Sequence, residues 1–275
     1  MVGCAVYVDG QRVPDVPITD ALGVARDRGG FVWLGLFEPT EEEFESSAAD
    51  YGLHPLAVED AVHAHQRPEL ERYDDALFMV LTTAVYVAHE ELTSTSDVVA
   101  TGEVMVFLGR HHVITVRHGG HGGLADLRHR LEEEPALLAL GPASVLYAIA
   151  DLVVDSYVEV AADVESDVDE LETSVFSPER TDDVGRIHQL ERELMQLRRA
   201  VSPLDLPLHA LAERSIDVVG GDALLLPRRA GPRHPGARPD SRPGRAAHLD
   251  PAGVHWPGRR CRTTRTPGRS PPGPP

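Results

Sequence analysis

Lysine is absent from this sequence. All 26 basic side chains are arginines, set against 44 acidic ones for a net charge of −18. Two cysteines, Cys4 and Cys261, are too few for a disulfide framework or a zinc-finger ligand set, and they fit a reducing compartment. Nothing at the N-terminus has the charged-then-apolar layout of a signal peptide. No run of 18 apolar residues occurs; the longest candidate, "SVLYAIADLVV", is interrupted by Asp151. The motifs HExxH, CxxC and GxSxG are missing, so the common zinc-protease, redox and serine-hydrolase chemistries have no anchor, and no enzymatic role is expected.

The acidity that is present is unevenly spread. The segment Gly221–Pro275 holds 11 of the 26 basic residues and 3 of the 44 acidic ones, a charge of +8. It also holds 12 of the 22 prolines. The body before it has 15 basic and 41 acidic residues, a charge of −26. Such a body repels nucleic acid and anionic membrane and attracts cations. The Arg/Pro/Gly tail has no hydrophobic period and is expected to be disordered.

Within the body, "CAVYV" and "FVWLGL" read as buried strands, being short, β-branched and aromatic. "PTEEEFESSAADYGL" reads as a helix, with Thr40 and Glu43 spaced as a capping box and Gly52 as its stop. "HPLAVEDAVHA" is a short helix with Pro55 in its first turn. "ALFMVLTTAVYVA" and "GEVMVFLGRHHVITVRH" read as long strands, the latter turning at "GRHH", and a helix comes next around Leu124–Glu134. Residues 1–140 are thus expected to form an α/β or α+β domain, a mixed sheet with flanking helices.

From Pro142 the period changes. Leu146, Ile149, Val153, Tyr157, Val160, Val164, Val168, Leu171 and Val175 step in an eleven-residue repeat, which predicts one long, nearly straight helix. After "SPERTDD", Val184, Ile187, Leu190, Leu194, Leu197, Val201, Leu204, Leu208 and Leu211 keep near-heptad spacing, with Pro203 and Pro207 expected to break the helix. Residues 141–220 are therefore expected to be a long antiparallel helical hairpin packed on the first domain, and 221–275 a disordered tail.

Three groups of residues invite a chemical reading. His111, His112, His118 and His121 cluster in "RHHVITVRHGGHGG", where the plain reading is exposed turn histidines and the alternative is a metal-dependent hydrolase. Asp151, Asp155, Glu159, Asp163 and Asp167 recur every four residues, which stacks them near one helix face. That ladder is either a solvated acidic face or a surface for hard cations, since Mg²⁺ accepts one or two carboxylates and keeps its waters. Asp151 is the odd member, a charge inside an apolar run that would want a partner. Glu59 and Asp60 are adjacent on a short helix and diverge by about 100°, so they serve different neighbours.

The stretch "HPLAVEDAVHAHQRPELERYDDALFMVL" closely resembles the cytoplasmic segment of CorA-type magnesium/cobalt transport proteins. "GEVMVFLGRHHVITVRH" and the two long helical stretches resemble the later cytoplasmic elements of that family, so the likeness runs over Met1–Gly220. It implies a homopentameric divalent-cation channel for Mg²⁺ and Co²⁺. It also implies a cytoplasmic α/β domain, a stalk helix, two C-terminal membrane helices and a Gly-Met-Asn pore signature. The likeness assigns Glu59 and Asp60 to the regulatory Mg²⁺ sites and Asp151 to a second site in the same subunit interface. The membrane helices and the signature are not in this sequence. Read in shifted frames, codons for Leu226–Pro235 permit Phe-Arg-Asp-Val-Gln-Asp-His-Val-Ile-Arg, like the opening of the family's stalk. A different shift near Cys261 permits a segment like the entry to the first membrane helix. At least two frame slips are therefore expected, and Arg228 and Arg229 then stand near the place of the family's partner for Asp60. On this reading the chain alone is soluble in the cytoplasm and does not transport. Nucleic-acid binding through the Arg-rich tail is the alternative, weakened by a tail with Trp256 as its one aromatic.

Overall fold

Seven strands lie side by side in the computed structural model, which describes residues 3–62, 67–73, 75–119, 123–177 and 183–213. They are β1 (Gly3–Val8), β2 (Gln11–Val13), β3 (Phe31–Phe37), β4 (Glu69–Tyr73), β5 (Ala76–Tyr86), β6 (Val99–Gly109) and β7 (His112–His118). Their order is β2-β1-β3-β7-β6-β5-β4. The β3–β7 pair is parallel and every other pair is antiparallel. The sheet is mixed, as the strand and helix patterns predict.

Both faces of the sheet are covered, which is why its strands read as unbroken apolar runs rather than as alternating ones. Along β5, Phe78 and Val80 face one layer while Leu77, Met79 and Leu81 face the other. The first layer is α1 (Ile18–Asp27), α2 (Glu41–Tyr51) and α3 (Pro55–Val62), seated through Ala21, Ala25, Phe44, Tyr51, Ala57 and Ala61. The second layer is α4 (Leu124–Glu133), α5 (Pro135–Leu138), α6 (Pro142–Val175), α7 (Asp183–Val201) and α8 (Asp205–Glu213).

Local chemistry sets the element ends. Thr40 Oγ1 accepts from Glu43 N at 3.3 Å and Glu43 Oε2 accepts from Thr40 N at 3.2 Å, closing the expected capping box. Gly52 ends α2 at φ 66°. Thr40→Ala should lower stability by about 1 kcal/mol, read as a shift in the urea midpoint at constant slope. The β1–β2 hairpin turns on Asp9 and Gly10, both at positive φ. A Cβ on Gly10 would lie 1.9 Å from the Pro135 carbonyl oxygen, so that residue must be glycine for α5 to approach.

The eleven-residue seam of α6 holds over most of its length; Val168 is half-buried and Val175, at the helix end, is 43% exposed. Leu146, Ile149, Val153, Tyr157, Val160, Val164 and Leu171 are all buried, against β5 and its neighbours. α7 and α8 return antiparallel to α6. Ser174 near the end of α6 bonds Asp183 at the start of α7, and Tyr147 near the start of α6 donates to the Leu211 carbonyl at the end of α8. Pro203 sits in a 3-10 turn, Ser202–Leu204, that separates α7 from α8. The Arg/Pro/Gly tail, and the frame-slip expectation attached to it, fall outside the described residues.

Candidate functional site

α3 carries two of the expected cation ligands. Ala57 and Ala61 face the sheet, which turns Glu59 fully outward and leaves Asp60 half-buried. The two carboxylates do diverge, as adjacent helical residues must. The helix is held at both ends by histidines. His54 stacks on Tyr73 with ring centroids 4.4 Å apart, and His118 Nε2 meets the Ala61 carbonyl at 2.8 Å. Against α3 lies the edge strand β4 with Glu69 and Glu71. Burial raises the Glu69 carboxyl above its ordinary range, and the fields of Glu71 and Asp60 push it the same way. Tyr73 donates to Glu71, and that bond first, with burial and the surrounding carboxylates after it, pushes the phenol up to about 12. The α3–β4 corner is therefore a region of crowded negative charge. On the other side of α3, a groove of about 480 Å³ runs along α2, lined by Glu41, Glu45 and Glu59 with Leu53, Val58 and Val62.

Asp151 lies elsewhere. α6 packs on the opposite face of the sheet from α3. Glu59 and Asp60 therefore do not share a site with Asp151 inside one chain. Asp151 is also solvent-exposed. The expectation of a charge trapped in an apolar run is corrected: the seam passes through Ile149, Ala150 and Val153, and Asp151 points off it.

The carboxylate ladder is corrected too. Asp151, Asp155, Glu159 and Asp163 are exposed, but Asp167 is buried. A four-residue step overshoots one turn by about 40°, so four steps rotate the row by about 160° and bring its last member to the seam. There Asp167 Oδ1 accepts from Tyr86 Oη at 2.9 Å and lies 3.4 Å from His89 Nε2. Burial, then this bond, pushes the Tyr86 phenol up to about 12.

The histidines are not all turn residues on the surface. His111 Nδ1 meets the Gly30 carbonyl at 2.9 Å. His112 is buried edge-on to Tyr51, and burial, with the nearby Arg26 and His111, lowers it to about 4. Each described histidine of this cluster serves a different neighbour, and His121 falls outside the described residues. Among the described residues no three His, Cys, Asp or Glu side chains form a group that could hold a metal ion.

Glu193 and Gln189 do not stand out in the sequence. Both are buried on α7 and bind the start of β6: Glu193 Oε2 accepts from Val98 N and Val99 N, and Gln189 Nε2 donates to the Ser96 carbonyl. A signal was there, since Glu193 lies three residues after Leu190 and four before Leu197. It stands on the apolar seam itself.

Known proteins share this arrangement of a mixed sheet between helical layers. The model of the CorA-like Mg²⁺ transporter protein family matches residues 28–225. The chain belongs to this family. It is 29% identical over 202 residues to YfjQ of Bacillus subtilis, covering 73% of this chain and 59% of that protein. It is 29% identical over 156 residues to the cobalt/magnesium transport protein CorA of Thermotoga maritima, covering 56% of this chain and 42% of that protein. It thus spans about half the length of these relatives. The soluble domain of CorA from Methanocaldococcus jannaschii shares the fold, with a TM-score of 0.60 at 14% identity over 80% of this chain and 82% of that one. The full-length CmaX protein does so with a TM-score of 0.59 at 20% identity, over 78% and 64%. Among the described residues of this CorA-family chain, no helix is long and apolar enough to cross a membrane.

Proposed function

We propose that this chain is the Mg²⁺-sensing cytoplasmic part of a CorA-type channel, a homopentamer that carries Mg²⁺ and Co²⁺ across the cell membrane. Its membrane helices belong to the half of the family's length that this chain does not span. By itself the chain binds the ion but does not move it.

The observation that carries this reading is the family match over residues 28–225 taken with the placement of the three carboxylates. Glu59 and Asp60 project from one layer and Asp151 from the other, so an ion shared between the two sets needs two chains. Carboxylate oxygens suit Mg²⁺, which keeps several waters and so needs few protein ligands. Burial first, and then the fields of Glu71 and Asp60, raise the Glu69 carboxyl, and the like-charge part of that rise is a repulsion that a divalent cation relieves. At a subunit interface, facing carboxylates push the chains apart until the ion bridges them. The bound ion then favours the closed arrangement by the difference in its affinity for the two states.

Mg²⁺ titrated into the purified chain should raise its thermal midpoint, by the equivalent of about 2.7 kcal/mol at a hundredfold excess over Kd. Asp60→Ala and Asp151→Ala should each reduce the shift, while monovalent salt at matched ionic strength should not reproduce it. A midpoint indifferent to Mg²⁺ in the unsubstituted chain would overturn the sensing role.

A further inference from the structure

The groove between α2 and α3 is shaped to receive a helix. Its floor is apolar, from Leu53, Val58 and Val62, and its rim carries Glu41, Glu45 and Glu59. A furrow between two helices takes a third by the apolar side chains of one of its faces. Glu41 and Glu45 are exposed and form no ion pair among the described residues. A surface of the opposite charge lies on α7. Met195 is 43% exposed there, with Leu194 beside it at 42%. Arg192 stands three residues before Met195, and Arg198 and Arg199 three and four after it, so all share its side of the helix. All three arginines are exposed, and among the described residues none of them forms an ion pair. Arg198 and Arg199 suit a helix C-terminus, but Arg192, more than two turns from that end, gains nothing from it. The acidic member of this face, Glu191, already has His188 at 3.6 Å.

We propose that α7 of one copy of the chain seats in the α2–α3 groove of the next copy, with Met195 and Leu194 over the apolar floor and the arginines at the glutamate rim. An apolar centre ringed by positive charge meets an apolar floor ringed by negative charge, and this complementarity names a second copy as the occupant. The groove and α7 lie on opposite faces of the sheet, so they do not meet within one chain. The contact is therefore head-to-tail: each copy offers α7 to one neighbour and its groove to the other. Repeated, such a contact closes into a ring where the rotation fits, which accords with a homopentamer and does not stop at a pair. It goes beyond the Mg²⁺ reading, because Met195, the three arginines, Glu41 and Glu45 are outside the set assigned to the ion and the contact needs none.

The test is sedimentation of the full chain over a concentration series at low salt, with a chelator in place of Mg²⁺. The unsubstituted chain should associate beyond the pair as concentration rises, and less so as salt is added. Ala49→Trp fills the groove and Met195→Glu spoils the face that enters it; each alone should leave only monomer. Both positions are exposed, so circular dichroism should show unchanged folding. An equimolar mixture of the two variants should form a one-to-one pair and nothing larger, because one keeps its α7 face and the other its groove. A contact of one face with itself cannot give that result. A chain monomeric at every concentration, association that stops at a pair, association that survives either substitution, or a mixture that stays monomeric would overturn the proposal. The thermal shift with Mg²⁺ is a separate readout, so either reading can fail alone.

Discussion

Glu193→Ala is expected to lower the stability of the fold by about 3 kcal/mol, a large loss for one polar side chain. The side chain is 5% exposed. One of its oxygens accepts from two consecutive backbone groups, Val98 N at 3.0 Å and Val99 N at 2.9 Å, and the other accepts from Gln189 Nε2 at 3.1 Å. Alanine leaves two buried N–H groups without an acceptor, and each such group costs about 1–3 kcal/mol. It also frees Gln189, whose other bond, to the Ser96 carbonyl at 2.6 Å, helps hold the same strand entry. Glu193→Gln keeps one acceptor oxygen and should lose about half as much. Leu194→Ala, one residue on and half exposed, is the control and should cost less than about 1 kcal/mol. Urea unfolding with an unchanged slope is the measurement. A loss below about 1 kcal/mol for Glu193→Ala would mean that α7 is not fastened to the sheet through this carboxylate.

Glu193 also shows what kind of information the sequence hides. A glutamate on an apolar seam looks like an imperfection in a heptad until the two N–H groups it satisfies are in view. Those groups belong to a strand nearly a hundred residues earlier, and no local pattern reports them. The elements built on local chemistry were legible: the Thr40 box, the Gly52 stop, the seam of α6 and the break at Pro203 all arise from short-range spacing. α1, β2 and β4 were not. β2 has three residues and β4 carries Glu69, Glu71 and Arg72 among five, as suits edge strands, which need little apolar character. Asp9–Gly10 is a turn signal that the sequence reading passed over, because too few residues come after it to read as a strand on their own. Candidate ligands could be named from the sequence, but not their relative placement. Glu59, Asp60 and Asp151 stood out, yet the division of α3 and α6 between two layers depends on sheet order, which the sequence does not state. The ladder misled because a period of four is close to 3.6 but not equal to it, and the error accumulated until Asp167 reached the core.

His112 gives the fold an acid limit that is separate from any ion binding. Its ring is 8% exposed, and burial, with Arg26 and His111 nearby, lowers it from an ordinary 6.5 to about 4. Between those two values the unfolded chain takes up a proton that the folded chain refuses. Stability from this residue is therefore fully present above pH 6.5, falls as the pH drops, and stops falling below about 4. Roughly two and a half pH units at about 1.36 kcal/mol each make the loss about 3 kcal/mol. Glu69 works in the opposite sense, because its raised carboxyl is protonated earlier in the folded chain than in the unfolded one. The contribution of His112 is thus best read as a difference. His112→Leu should retain its stability between about pH 7 and pH 4.5 better than the unsubstituted chain does, by about 2–3 kcal/mol, whatever its absolute stability near neutrality. The imidazole resonance of His112 in the folded chain should stay that of the neutral ring down to about pH 4. A ring that titrates near 6.5, or a pH slope that the leucine leaves unchanged, would mean that the pocket between β7 and Tyr51 admits water and that His112 is not sealed by the packing of α2.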